Sequence, residues 1–475
     1  MLEAMYQSRF RGICLIYFTG LLFSFSTYAA NWEIEPTLEI GAAYTSNVFL
    51  APEDLEESDY IGQINPGIII RGEGRRSRLD LDYVMENLYY QDHPDGDNTY
   101  HHLRFFNANE LLEDIFNLDL SAIFDQTTIS TAGPVSVGNF ALNLNRADFY
   151  SVGVSPYLTF NLGRNAYTEL RYRYNRIEYT DPFDVGIPVA LVDNESNTIE
   201  FLAASRELRV MGWEITYYDR TTDFETGTET RFRRGLIDLI HNTSSYFRIL
   251  GGIGYEENNY ATTSITPTEG TIWYAGAEWT PNSRTNLTLR AGERYFGPTQ
   301  SASLTYTSSR TNISLSYSEE FRTVADLLDS SAAETPADDI EADSTELTDD
   351  VLLRKRIVAT IGYTGQRSIS TLIIYDSDDE YQNSGDQQNL TGFNFSWERS
   401  LTRKTKITLG GIWQNRTFFT LDREDNTTNA RIIISHNLKQ DVTGNLELYH
   451  TNRNSTDPVQ EYTENLANIY VNFIF

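Results

Sequence analysis

The sequence predicts an all-β protein, a single closed antiparallel transmembrane β-barrel of roughly 16–22 strands with 22 as the best count. Three observations lead to this prediction. Apolar and polar residues alternate with period two through most of the chain. The connections between the alternating stretches are long and short in turn, as expected when one rim carries loops and the other carries tight turns. The final stretch, 462–475, alternates up to Phe475, and an unpaired edge strand of this kind invites aggregation unless it closes a barrel.

The start of the chain has the order of a secretory signal. Arg9 and Arg11 form a short basic region, 13–25 is a mostly apolar core, and small residues follow just before residue 31. The core is too short for a comfortable membrane helix. We therefore expect residues 1–30 to be a signal peptide and 31–475 to form the outer-membrane barrel.

Composition narrows the class of protein. The single cysteine, Cys14, lies within the expected signal peptide, so the mature chain has no thiol for a disulfide, a metal site or a nucleophile. A formal net charge of −30 at pH 7 argues against nucleic acid as a partner, since phosphate binding needs a basic surface. The 30 tyrosines, 25 phenylalanines and 6 tryptophans, without a long apolar run, are typical of transmembrane barrels.

The clearest strands have one apolar and one polar face. Residues 32–44 place apolar side chains at every even position and acidic or small side chains at the odd positions. Residues 115–125 repeat the pattern, as does the hairpin of 149–162 and 166–179 with its turn at Gly163. Such strands suit a wall with lipid on one side and water on the other. The remaining strands are predicted at about 60–71, 78–90, 98–109, 196–206, 209–220, 229–241, 245–258, 271–280, 285–296, 300–307, 311–319, 354–364, 367–376, 388–399, 404–416, 427–437, 441–452 and 463–475.

The two sets of connections differ in charge. The short turns are rich in Gly, Asn and Arg, whereas the long loops are acidic. Both termini fall on the short-turn side, which predicts an even strand number, periplasmic termini and location in the outer membrane of a Gram-negative bacterium. The longest loop, about 323–352, carries ten carboxylates and no Lys or Arg. Hard cations bind such oxygens, but the spacing fits no EF-hand and acidic runs are usually solvated, so no metal site is predicted.

Several stretches carry a family resemblance. They are WEIEPTLEIGAAYTSNVFL at 32–50, INPGIII at 64–70, VSPYLTF at 154–160 with ELRYRY at 169–174, and WTPNSRTNLTL at 279–289 with GERYFG at 292–297. Together they resemble a family of outer-membrane β-barrel porins associated with the PEP-CTERM/exosortase system and with exopolysaccharide gene clusters. Ser46 stands where that family usually has Asp. The resemblance implies a barrel that serves the production or passage of polysaccharide across the outer membrane.

Charged residues on the polar faces are the candidates for lining the pore. Inward arginines and inward carboxylates form a mixed ladder, which either pairs structurally or guides an anionic polymer through the lumen. Structural pairing is the interpretation we favour. The candidate pore-lining residues are Arg78, Asp80, Asp82, Glu169, Arg171, Arg173, Arg290 and Arg294.

The sequence predicts neither catalytic nor cofactor-binding residues. A barrel hydrolase could use His93, which is flanked by Asp92 and Asp95, or His450 near the loop rim. However, the chain contains no G-x-S-x-G, HExxH or phosphate-binding glycine motif. A TonB-type transporter also has about 22 strands, but it needs an N-terminal plug. With the first strand expected directly after the signal peptide, we do not expect one here.

Two functions remain open. The first is a porin-like channel that passes exopolysaccharide or small polar solutes by diffusion through a polar lumen. The alternative is a structural barrel with a plugged lumen that docks polysaccharide or protein secretion partners, with the 323–352 loop as the candidate plug. The expected partners are outer-membrane lipid, the barrel assembly machinery through the C-terminal strand ending at Phe475, and polysaccharide.

Overall fold

The computed structural model describes most of the expected mature chain. The expected signal peptide, 1–30, and most of the predicted acidic loop, 324–346, lie outside the described residues. The described residues form 22 strands and two single-turn 3-10 helices. The described ranges are 31–143, 145–180, 192–206, 210–263, 267–323 and 347–475. Within these ranges no helix has the length and hydropathy needed to cross a bilayer.

The strands, numbered β1 to β22 in chain order, are 10 to 17 residues long. About 9–11 residues suffice to cross the hydrocarbon core of a bilayer, so most strands extend beyond it. Their bounds are Asn31–Thr45, Asp59–Glu73, Ser77–Tyr90, Asn98–Leu112, Phe116–Thr128, Arg146–Leu162, Ala166–Thr180, Asn194–Ser205, Met211–Phe224, Glu229–Ser244, Phe247–Asn259, Glu269–Asn282, Thr285–Arg294, Gly297–Thr307, Thr311–Thr323, Val351–Thr364, Ser368–Tyr381, Gln387–Ser400, Thr405–Phe418, Arg423–Lys439, Val442–Ser455 and Tyr462–Ile474.

Each strand pairs antiparallel with the next, and β22 pairs with β1 to close the barrel. The closing register runs from Thr37 opposite Ile474 to Thr45 opposite Leu466, and the Phe475 N–H donates to the Pro36 carbonyl at 2.9 Å. The predicted fold class and the best strand count of 22 are therefore confirmed. Closure also leaves no unpaired edge, which is why a chain can end on an apolar strand without exposing it.

The two faces of the wall have different chemistry. Along β1 and β22, the side chains of Trp32, Ile34, Ile40 and Ile469 point outward and are exposed, Ile469 by 61%. Their sequence neighbours point inward, and Leu466 on that face is 2% exposed. Because side chains alternate between the faces of a strand, this pattern gives an apolar outer surface around a polar interior. An apolar outer surface on a closed sheet is the arrangement that spans a membrane, since every backbone group is paired within the wall.

The rims follow the predicted alternation only in part. Connections after odd-numbered strands form the loop rim, and those after even-numbered strands form the turn rim. The prediction that loop-rim connections are long is wrong at β13–β14, which are joined by Tyr295 and Phe296 alone. The reason is Gly297, whose φ of +122° lets β14 begin there rather than at the predicted residue 300. None of the loop-rim connections contains Lys or Arg.

Candidate functional site

The eight predicted pore-lining residues lie on the inner face of the wall, on strands β3, β7 and β13. Arg171 shows how such residues are held. Its guanidinium donates to Asp119 at 3.0 Å and to Glu169 at 2.9 Å, and it lies 3.7 Å from the centroid of the Tyr157 ring. These contacts fix the arginine against the wall, because a charged hydrogen bond and a stacked ring each restrict its rotamers.

The other predicted residues also pair locally. Arg290 lies over the ring of Tyr274 at 5.3 Å. Every one of these contacts joins residues of the same strand or of strands one or two positions apart, so the structure forms a ladder along the wall and does not gather the eight residues into one site. Their role in conducting or selecting a solute stays a prediction. The remaining closest distances are Arg78–Asp80 2.7 Å, Arg71–Asp82 2.8 Å, Arg173–Glu200 3.2 Å and Arg294–Glu256 2.9 Å.

The feature that sequence reasoning missed is the inner loop, the connection 129–145 between β5 and β6. It folds into the mouth of the barrel instead of away from it. The hydroxyl of Thr131 donates to Gln388 of β18 at 3.3 Å, and the Tyr462 hydroxyl of β22 donates to the Val135 carbonyl at 2.7 Å. The inner loop therefore runs across the lumen from one part of the wall to another.

These contacts require a flattened mouth. A round barrel of 22 strands spaced ~4.8 Å apart and tilted by about 40° would be roughly 40 Å wide. Thr131 follows the last residue of β5, Thr128, by three positions, and three residues reach at most about 11 Å. Since Thr131 touches Gln388, the loop ends of β5 and β18 lie far closer than opposite walls of a round barrel would. The mouth is pinched at this point.

A second segment crosses the pinched mouth from the other side. The Leu347 N–H donates to the Ile129 carbonyl at 3.0 Å, so the residues before β16 meet the inner loop directly. The hydroxyls of Thr226 and Thr228, between β9 and β10, donate to Asp349 at 2.9 and 3.0 Å. Leu347 and Asp349 belong to the acidic loop that we proposed as a plug, and its residues 324–346 lie outside the described ranges.

Apolar packing holds one half of the inner loop. Phe140 is 8% exposed and packs in a cluster with inward side chains of β1–β4 and β22. Leu142 packs against the same cluster, and its N–H donates to the Val48 carbonyl at 2.6 Å. Burying a side chain of this size contributes about 1.5–3 kcal/mol, so this half of the loop is fixed to the wall. The other buried members are Ala43, Val48, Ile61, Leu88, Tyr90, Tyr100 and Leu466.

Charged side chains hold the other half. Arg423 and Arg453, on β20 and β21, donate to the Ala132 carbonyl at 2.6 and 3.0 Å, and Arg453 also donates to the Gly133 carbonyl. Both arginines share the carboxylate of Asp425, at 2.8 and 2.5 Å. We call Arg423, Asp425 and Arg453 the arginine latch. All three are buried, with 3% to 9% of their surface exposed.

One sequence signal could have pointed to the inner loop. It is the longest connection without a single charged residue; the β11–β12 connection, 260–268, is also uncharged but shorter, and the other long loops of this rim are acidic. A solvated loop has no reason to avoid charge, but a loop whose apolar side chains pack against the wall does, because burying an unpaired charge among them is costly. The sequence does not indicate which part of the wall the loop contacts, because Ala132 and Arg423 are 291 residues apart.

The two histidines considered for a hydrolase lie in different surroundings. His450 lies on the outer face of β21, with its Nδ1 2.9 Å from the Asn465 side-chain oxygen. His93, in the loop between β3 and β4, contacts Asp59 at 2.8 Å and Glu57 at 2.9 Å. The side-chain hydrogen-bond partners of these two rings in the described ranges are carboxylates and an amide, not a serine. No group of three or more ligating side chains there is arranged to hold a metal ion.

His93 should make the β1–β2 loop, 46–58, sensitive to pH. Hydrogen bonds that the protonated His93 ring donates to Asp59 and Glu57 raise the pKa of His93 above its usual range. The stabilisation is therefore complete below the unfolded pKa of about 6.5 and is lost as pH rises through the raised value. We expect Glu-specific proteolysis after Glu57, normalised to the unfolded chain, to speed up on raising the pH through that window.

The control for this expectation is a second histidine. His93→Gln should make cleavage after Glu57 fast at all pH values, whereas His450→Gln on the outer face should leave the pH profile unchanged. Mass spectrometry of the released peptides gives the rate at each pH. A wild-type profile that is flat, or that slows with rising pH, would contradict the assigned ion pairs.

Comparison with known proteins supports the fold. No family model and no curated protein matches the chain. Among solved structures, the FrpB iron transporter from Neisseria meningitidis (F5-1 variant) matches with a TM-score of 0.57 at 10% identity, covering 94% of this chain and 83% of that chain. The siderophore receptor PirA from Acinetobacter baumannii matches with a TM-score of 0.52 at 8% identity, covering 94% and 81%. At such identity the likeness shows the barrel fold alone. The association with the PEP-CTERM system stays an expectation.

Proposed function

We propose that this protein is an outer-membrane channel for polar solutes whose mouth at the loop rim is narrowed by the inner loop. The main support for this proposal is that an uncharged segment of the barrel's own chain crosses the lumen. It is held there partly by hydrogen bonds from side chains of the wall to its backbone carbonyls. Each such bond contributes only about 0.5–1.5 kcal/mol net, or about 1.5–3 kcal/mol with a charged donor. The half of the inner loop held by contacts of this size can leave the lumen without unfolding the wall, while the half around Phe140 stays packed against it.

The polar lumen supports passage by diffusion. The paired charges along the wall can form hydrogen bonds with polar solutes at several depths in the lumen. Exopolysaccharide remains our first candidate solute, because the resemblance of the sequence to polysaccharide-associated porins suggests it. In this proposal the turn rim and both termini face the periplasm. The strand ending at Phe475 remains our expected signal to the barrel assembly machinery.

Single-channel recording of the refolded protein in a planar bilayer tests the proposed channel function. Heat-dependent gel mobility first establishes that the barrel is folded. We expect a small unitary conductance with brief larger openings, since the inner loop narrows but does not covalently seal the mouth. An oligosaccharide that passes through the lumen should interrupt the open-channel current in brief blockades.

The second candidate function is a scaffold barrel that docks secretion partners. The pinched mouth favours it, because two segments meeting at Ile129 and Leu347 obstruct the lumen. The two functions differ in what happens when the inner loop is removed. A channel gains conductance, whereas a scaffold whose lumen is closed elsewhere stays silent, and silence in both forms would refute the channel.

A further inference from the structure

The two arginines of the latch carry more positive charge than Asp425 neutralises, and more N–H donors than the acceptors around them bind. Asp425 is the carboxylate that Arg423 and Arg453 share, and the inner loop offers them only backbone carbonyls. In the described part of the chain, the Nε atoms of both arginines are buried and have no hydrogen-bond partner. An unsatisfied buried donor costs about 1–3 kcal/mol, and more when it is charged. The latch therefore has donors and positive charge left over for a further acceptor.

A cavity lies beside the latch. It has a volume of about 50 Å³ and lies between the inner loop and strands β19–β22. A single water needs about 10–15 Å³, so the cavity has room for a carboxylate group, and a whole sugar unit can enter only as the inner loop moves away. Hydroxyl and amide side chains line it next to Arg453 and Asp425, a chemistry that suits the hydroxyl groups of a sugar. Those side chains include Thr131, Gln414, Thr427, Asn429 and Thr451.

We propose that the arginine latch is a binding site for the carboxylate of a hydroxylated acid, such as a uronic acid unit of a saccharide. The carboxylate takes the place of the Ala132 and Gly133 carbonyls on Arg423 and Arg453 and thereby releases the inner loop. A carboxylate brings a negative charge to the two guanidinium groups and can accept two parallel hydrogen bonds from one arginine, whereas a backbone carbonyl is neutral, and this difference gives the exchange its direction. This inference rests on the proposed channel and names the class of solute that opens it.

The uncharged sequence of the inner loop fits this exchange. A loop meant to close the lumen permanently could place an Asp or Glu beside the two arginines, because removing one partner of such a buried pair costs about 3–5 kcal/mol. The loop instead carries no acidic residue between 129 and 145. A weak neutral acceptor at this position can be replaced by an external carboxylate, and an intramolecular carboxylate could not.

The test is equilibrium binding by calorimetry to the full barrel in detergent at constant ionic strength. The probes are galacturonate, galactose and acetate. We expect galacturonate to bind at least 10-fold more tightly than galactose, which lacks the carboxylate, and than acetate, which lacks the hydroxyls. Arg453→Gln and Arg423→Gln should each weaken galacturonate binding about 10-fold or more, whereas Arg75→Gln, in the β2–β3 turn at the opposite rim, should leave it unchanged.

A second measurement follows the loop itself. Residues 31–475 contain no cysteine, so Ser136→Cys gives a single thiol within the inner loop. Galacturonate should accelerate its maleimide labelling several-fold, and galactose should not. Equal binding of galactose, binding of acetate as tight as that of galacturonate, or labelling that is indifferent to galacturonate would overturn the proposal. These assays need no conductance, so a silent barrel that binds galacturonate refutes the channel alone, and a conducting barrel that does not bind it refutes only the latch.

Discussion

Replacing residues 129–145 by Asn-Gly should raise the single-channel conductance several-fold. The replacement removes the segment that crosses the lumen but leaves the wall intact, because Thr128 of β5 and Arg146 of β6 are already paired opposite each other. Asn-Gly is a favoured two-residue connection for such a hairpin. The expected gain follows from the wider opening: ion flow through a pore grows with its open cross-section, and the inner loop occupies the mouth.

The control for this deletion must change the same rim without touching the obstruction. Shortening the β21–β22 loop at 456–461 to Asn-Gly meets this need, and its conductance should equal that of the wild type. Recording both variants at several salt concentrations separates a wider opening, which scales the current at every concentration, from a change in surface charge, which matters most at low salt. An equal, non-zero conductance in wild type and in the 129–145 variant would mean that the inner loop is not the constriction, whereas silence in both would mean that the lumen is closed elsewhere, as the scaffold function requires.

The wall was predictable from the sequence because its determinants are local. The alternation in 115–125 depends on residues two positions apart, and the structure has β5 there, at Phe116–Thr128. The same reasoning found the closing strand, since an apolar strand at the end of the chain requires a partner at the beginning. Bounds were less accurate where a single backbone conformation decides them, as at Gly297.

The mouth was not predictable, because it depends on contacts between residues far apart in the chain. Arg453 and Gly133 are 320 residues apart, and nothing near either residue specifies the other. Sequence reasoning assigned the plugging role to the longest loop, and among its described residues Leu347 is the one that hydrogen-bonds to the inner loop. Length and acidity identified that loop, whereas the inner loop combines length with a lack of charge.

Asp425→Asn should lower the free energy of unfolding by about 3–5 kcal/mol, the cost of removing one partner from a buried ion pair. Asp425 is 3% exposed and accepts hydrogen bonds from Arg423, Arg453 and the Ser455 hydroxyl. The neutral amide retains the size of the side chain but leaves two buried guanidinium groups with no opposite charge beside them. The midpoint of heat-dependent gel mobility and a urea titration in detergent both report the loss.

An exposed ion pair between strands β18 and β19 provides the comparison for this loss of stability. Glu398 and Lys406 are 3.1 Å apart with 36% and 57% of their side chains exposed, so Glu398→Gln should cost no more than about 1 kcal/mol. Adding Arg453→Gln to Asp425→Asn should recover part of the stability, because the second change removes one of the stranded charges. If Asp425→Asn proves as mild as Glu398→Gln, the latch is solvated and cannot hold the inner loop. If the loss is large and Arg453→Gln partly reverses it, the stability of the mouth depends on the balance of charge in the latch.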